Sequence, residues 1–229
     1  MNLLITGASR GLGDALARGL PSAGDTVYLV SRNAPPSLAL QDGIARHWLE
    51  ADLSREDAAE AILQGVTVDA IDVLIHNAGI WERGAFSSNY DFESVTDAQT
   101  REILRVNLES VIAITRALLP RLERSVNPKL ILIGSVNGLS NAGMPEVAYN
   151  ASKWGLRGVA HALREHLRPK RIGVTIINPG SIAASEDDSR LDLIPPSDLV
   201  MLMQCVVKLS NRSNIKEIDL PAKIGRAHV

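Results

Sequence analysis

The chain has 229 residues, with 24 Lys and Arg against 26 Asp and Glu, 45% hydrophobic residues and a formal net charge of −2. That balance suits a globular protein, gives no electrostatic grip on nucleic acid or an anionic membrane, and its lone Cys205 excludes an intrachain disulfide while suiting a reducing compartment. No apolar run reaches the roughly 20 residues that span a bilayer, and Met1-Asn2-Leu3-Leu4-Ile5 lacks the basic region of a signal peptide, so a cytoplasmic location is expected.

In chain order, short apolar runs at 3–6, 26–30, 46–50, 73–76, 129–133 and 174–178 predict strands, with a weaker one at 217–220. Between them, helical periodicity predicts helices over 11–20, 55–63, 96–124, 149–168 and 197–210. Ser54, ahead of Glu56 and Asp57, reads as a helix cap. The stretch between the second and third strands is interrupted by Asn33-Ala34-Pro35-Pro36 and Asp42-Gly43, so at most a short, irregular helix is expected there. Alternating apolar strands and helices predict an α/β fold: a Rossmann-type, doubly wound parallel sheet with helices on both faces. We expect one domain over 1–229, with a short substrate loop and helix at 183–212 inside it.

The first strand runs into Thr6-Gly7-Ala8-Ser9-Arg10-Gly11-Leu12-Gly13 and then a helix. Gly7 can take the positive φ of a tight turn, Gly11 lets the backbone approach a pyrophosphate, and Gly13 lets helix and strand pack closely. The helix N-terminus offers free N–H groups to phosphate. A glycine-rich turn that binds nothing is the alternative at this point. The spacing Gly-x-x-x-Gly-x-Gly resembles that of the short-chain dehydrogenase/reductase family, and further matches follow in order. Asp52-Leu53 is similar to the family's adenine-contacting pair, Asn77-Ala78-Gly79 to its Asn-Ala-Gly turn, Tyr149 and Lys153 to its Tyr-x-x-x-Lys, and Pro179-Gly180 with Ile182 to the segment after its sixth strand. Asn107 and Ser135 fall at its remaining catalytic positions. The resemblance runs from Thr6 to about Ile182 and implies an NAD(P)-dependent oxidoreductase. It also implies cofactor contacts from Gly7, Ser9, Arg10, Gly11, Leu12, Gly13, Ser31, Arg32, Asp52, Leu53, Asn77, Ala78, Gly79, Tyr149, Lys153, Pro179, Gly180 and Ile182.

The second strand ends in Ser31-Arg32 rather than in the carboxylate that binds the ribose of NAD. Ser31 leaves room for a 2′-phosphate, Arg32 can pair with it, and Arg10 can reach it from the other side. This pattern predicts NADP(H) as the preferred cofactor, with NAD(H) the lesser one; two solvated arginines are the plainer reading. At the reaction centre, Tyr149 and Lys153 lie one turn apart on a predicted helix, so both can enter one site. A nearby ammonium would lower the phenol pKa and make Tyr149 a general acid/base. Ser135, at the carboxyl edge of a strand, can donate to the substrate oxygen. By resemblance, Asn107 anchors a water that links Lys153 to solvent. Taken singly, Ser135 reads as a turn residue and Asn107 as a local polar contact.

The five histidines show no metal-ligand spacing, and no metal is expected. His76 reads as structural, and Trp81 as a packing residue rather than part of a site mouth. Where the family often has Thr to hold the carboxamide, this chain has Ala184, with Ser181 or Ser185 as substitutes. The resemblance implies a homodimer through helices near 96–124 and 149–168, with Val106, Ile112, Leu118, Leu156 and Leu163 available; the same residues could instead cover the sheet. A homotetramer is less expected, because the family's glycine-rich closing segment is missing. The expected partner is a small carbonyl or alcohol substrate, whose identity the residues leave open. Two other functions fit the cofactor turn: an NAD-retaining epimerase or dehydratase, and a non-catalytic NADP(H)-sensing protein.

Overall fold

The computed structural model describes residues 1–140 and 144–224. Its strands are β1 (Asn2–Thr6), β2 (Thr26–Ser31), β3 (Ala45–Glu50), β4 (Val73–His76), β5 (Lys129–Ile133), β6 (Gly173–Pro179) and β7 (Glu217–Leu220). They form one seven-stranded sheet in the order β3-β2-β1-β4-β5-β6-β7, and every pairing is parallel. The weakly signalled last strand is real: it pairs with β6, Ile177 opposite Ile218.

Alternation along the strands explains the two layers. Leu4 of β1 joins Ile62, Ile114, Leu118 and Leu156 on one face, whereas Leu3 and Ile5 join Leu16, Leu199 and Met203 on the other. The first face is covered by α2 (Ala58–Gly65), α4 (Ser110–Leu122) and α5 (Val147–Leu167), the second by α1 (Gly11–Gly19) and α6 (Pro196–Lys208). Each such buried side chain contributes about 1.5–3 kcal/mol relative to exposure, so a one-residue slip of any central strand would be costly. Strand order reverses between β1 and β4, which opens a crevice at the carboxyl edge of the sheet.

Four readings of local packing are corrected or decided by the fold. Ser54 does not cap a helix: its N–H and hydroxyl both donate to Asp52 Oδ1, at 3.0 and 2.8 Å, closing a local turn, and α2 begins only at Ala58. The helix expected over 96–124 is interrupted. Thr96 caps α3 (Asp97–Leu104), Arg105–Glu109 forms a π-helical turn, and α4 follows. Of the residues offered for a dimer face, Val106, Leu118 and Leu156 are buried under the sheet and Leu163 packs against the same core, leaving Ile112 exposed. Trp81 is the fourth, and its place emerges with the site. Between β2 and β3 the chain makes only a single 3-10 turn, Pro36–Ala39, as the prolines require.

Candidate active site

The turn after β1 is shaped by close backbone approach. Gly7 has φ +69°, and a Cβ there would lie 2.7 Å from the Ala78 Cα. A Cβ on Gly13 would sit 2.0 Å from the Gly7 carbonyl oxygen, so no side chain fits. Gly11 differs: its φ is +54° but its missing Cβ would meet open space, leaving the backbone bare to a ligand. Thr6 and Asn77 lock this turn to the one after β4. Thr6 Oγ1 accepts from Asn77 N–H at 3.1 Å and Ala78 N–H at 3.2 Å, while Asn77 Nδ2 donates to the Thr6 and Gly7 carbonyls.

These turns form one wall of a cleft of about 1530 Å³ along the carboxyl edge of the sheet. It exceeds the roughly 300–1,000 Å³ of an ordinary small-molecule pocket and can take a dinucleotide together with a substrate. Gly7, Ser9, Arg10, Gly11, Leu12, Gly13, Ser31, Arg32, Asp52, Leu53, Asn77, Ala78, Gly79, Ser135, Tyr149, Lys153, Pro179, Gly180 and Ile182 all line it. Ser181 and Ala184 line it too, whereas Ser185 does not. Ser31 turns its hydroxyl onto the Asn33 carbonyl at 2.7 Å. The Asp52 carboxyl is held below its ordinary range, first by the Ser54 N–H, with the charges of Arg32 and Arg55 adding.

Asn107 stands outside the cleft lining, buried in the π-helical turn. Its Oδ1 accepts from Ile80 N–H and its Nδ2 donates to the Ile80 carbonyl, both at 2.8 Å, with a further bond to Ser152 Oγ at 3.0 Å. The wider turn places this amide to brace the β4 loop against α5, one residue from Lys153. His76 is buried against Thr115 Oγ1 at 3.0 Å, and burial pushes it down to about 3, so it is a neutral packing residue at ordinary pH.

Tyr149 and Lys153 do enter one site: the Lys153 Nζ lies 5.6 Å from the Tyr149 ring centre and donates to the Ile133 carbonyl at 3.0 Å. The expected lowering of the phenol pKa is not what the protein alone produces. Burial pushes Tyr149 above its ordinary value, a hydrogen bond with the Ser135 side chain opposes that, and Glu146 and Glu82 raise it further. Lys153 is itself pushed down to about 8 by burial, so its charge is costly to keep in this dry pocket.

Glu82 and Glu146 were not legible as site residues. Both are buried at 1% exposure. Glu82 Oε1 accepts from the Ala148 N–H at 2.7 Å and the Tyr149 N–H at 3.2 Å, capping α5 from a distant loop where its own N-cap residue, Glu146, makes no side-chain bond to the helix. Glu146, just ahead of that helix, accepts from the Phe86 N–H at 2.7 Å. The loop and the helix thus clasp each other, each by one carboxylate, and Phe86 is held at φ +63°. The clasp sets Phe86 edge-on to Tyr149 at 5.3 Å and Trp81 edge-on to both, at 5.7 Å from Phe86 and 6.5 Å from Tyr149. Trp81 therefore lines the cleft beside the phenol, 51% exposed, instead of packing beneath the loop. Glu82→Ala should destabilise the fold by about 1–3 kcal/mol, with Glu82→Gln intermediate because its amide oxygen still accepts. Urea unfolding midpoints check the order.

A family model described as short chain dehydrogenase matches residues 1–191. The chain belongs to the short-chain dehydrogenase family. It is therefore an oxidoreductase, and its parallel sheet is that family's fold. A 3-oxoacyl-[acyl-carrier-protein] reductase of rhamnolipid biosynthesis in Pseudomonas aeruginosa is 33% identical over 187 residues, covering 77% of this chain and 71% of the relative. A probable galactose dehydrogenase of Rhizobium meliloti is 32% identical over 204 residues, covering 85% and 76%. Among solved structures, a metagenomic short-chain oxidoreductase in complex with NADP superposes with a TM-score of 0.78 at 27% identity, over 98% of both chains. In this dehydrogenase the glycine turn and the Tyr149 helix converge on a single cleft, which the π-helical turn reaches through Val106. Relatives of similar identity carry an acyl thioester name and a sugar name, so likeness alone selects no substrate.

Proposed function

We propose that this dehydrogenase uses NADP(H) to interconvert a carbonyl and an alcohol, with Tyr149 as the general acid/base. The observation that carries this reading is the meeting of the Tyr149 phenol, the Ser135 hydroxyl and the Lys153 ammonium in the cleft that Arg10 and Arg32 also line. Glycine-turn backbone and the N-terminus of α1 would hold a pyrophosphate, and the cleft is long enough for the rest of the dinucleotide. Arg10 has no side-chain partner among the described residues, and Arg32 has no hydrogen bond there, which leaves both free to pair with a 2′-phosphate. When bound, the nicotinamide supplies or accepts the hydride. Ser135 and Tyr149 orient the carbonyl oxygen, Tyr149 gives it a proton during reduction, and Asn107 with Lys153 steadies that end of the site. Residues 183–212 would close over the substrate; within them Glu186 caps α6 through Ser197. NADPH oxidation by a diverse carbonyl panel tests the reading, and a chain that binds NADPH but turns over no carbonyl would overturn it.

We also propose that the protein is a homodimer. Ile112 on α4 and Val147 and Trp154 on α5 are large apolar side chains left exposed. Light scattering at micromolar concentration should give about twice the 24.7 kDa chain mass; a monomer mass would contradict the assembly.

A further inference from the structure

Resting on that reading of the cleft, we infer that the substrate carries a protonated amine beside its reacting carbon. The two clasp carboxylates each use one oxygen and leave the other spare: Glu82 Oε2 and Glu146 Oε2 are buried and have no hydrogen-bond partner among the described residues. Glu146 lines the cleft, and so does Asp192, from the segment ahead of α6. Against these stands Lys153, already bonded to the Ile133 carbonyl; the other cations of the described lining, Arg10 and Arg32, belong to the glycine turn and the end of β2. Burial keeps water from screening Glu82 and Glu146, so their field reaches the phenol. Beside them, Trp81 and Phe86 are half exposed and offer aromatic surface to a cation. A carboxylate-bearing substrate would meet repulsion there, and a neutral one would gain nothing from that field.

Three alcohols matched in size separate the charges: 1-amino-2-propanol, 1,2-propanediol and lactate, oxidised with NADP⁺ at a pH where the amine is protonated. The expected order of kcat/KM is amine, then diol, then acid, with the amine ahead of the diol by about tenfold. Raising NaCl to about 0.5 M should shrink that ratio, and Glu146→Gln should bring it toward one. The salt series uses the unmutated protein, so it stands even if the Gln variant folds poorly. A diol oxidised as fast as the amine, or a ratio indifferent to salt, overturns the amine assignment and leaves the oxidoreductase reading intact. Failure of all three alcohols, together with failure of every ketone in the carbonyl panel, would sink both.

Discussion

Tyr149→Phe is expected to cut kcat for carbonyl reduction by about a hundred- to ten-thousandfold while NADPH binding survives. The ring keeps its edge-on contacts with Phe86 and Trp81, so the aromatic packing of the site is retained and only the proton donor is lost. NADPH fluorescence titration beside stopped-flow reduction separates the two effects. A variant that reduces carbonyls at the unmutated rate would remove Tyr149 from the mechanism. The pH profile gives a second readout. Burial and the two glutamates hold the phenol protonated past its ordinary range, whereas Lys153 loses its charge near pH 8. Reduction should accordingly decline as pH rises through about 8, before the phenol itself ionises.

Arg32→Asp should raise the KM for NADPH by about a hundredfold and leave that for NADH within a few-fold, reducing or reversing the cofactor preference. The substitution removes a cation with no hydrogen-bond partner among the described residues and puts a carboxylate where a 2′-phosphate would sit. It would also withdraw one of the charges that hold Asp52 ionised. Steady-state kinetics with both cofactors decide it; equal Michaelis constants in the unmutated protein would already contradict the role given to Arg32.

Much of the fold was written in local pattern. Each strand is a short apolar run, and Gly7, Gly11 and Gly13 announce a turn whose backbone must come close to something, which is why β1, α1 and the sheet class could be read directly. Asn107 could be assigned to a helix but not to a π-helical turn, because Leu104 to Leu108 carries ordinary helical periodicity and the wider turn is imposed by its bonds to Ile80 and Ser152. The clasp was invisible for a different reason. Glu82 and Glu146 are far apart in the chain, and a glutamate on a loop or before a helix normally faces water. Only the fold shows that each reaches the other's segment, and that Trp81 is drawn to the cleft as a result. Ser54 failed as a cap because Asp52, two residues earlier, ties its N–H and hydroxyl into a local turn that ends before α2 begins.

The π-helical turn makes chain length, as well as residue identity, a constraint on the catalytic layer. A π turn holds one residue more than the α turn it replaces. Ile103 before it and Val111, Ile114 and Leu118 after it are all buried, so the wider turn absorbs the extra residue without rotating either half away from the core. Deleting one residue within Arg105–Glu109 would let the segment close to an ordinary α turn and draw Asn107 away from Ile80 and Ser152. The segment should thus accept many substitutions on its outer side, while a one-residue deletion would cost the brace between the β4 loop and α5 rather than the core.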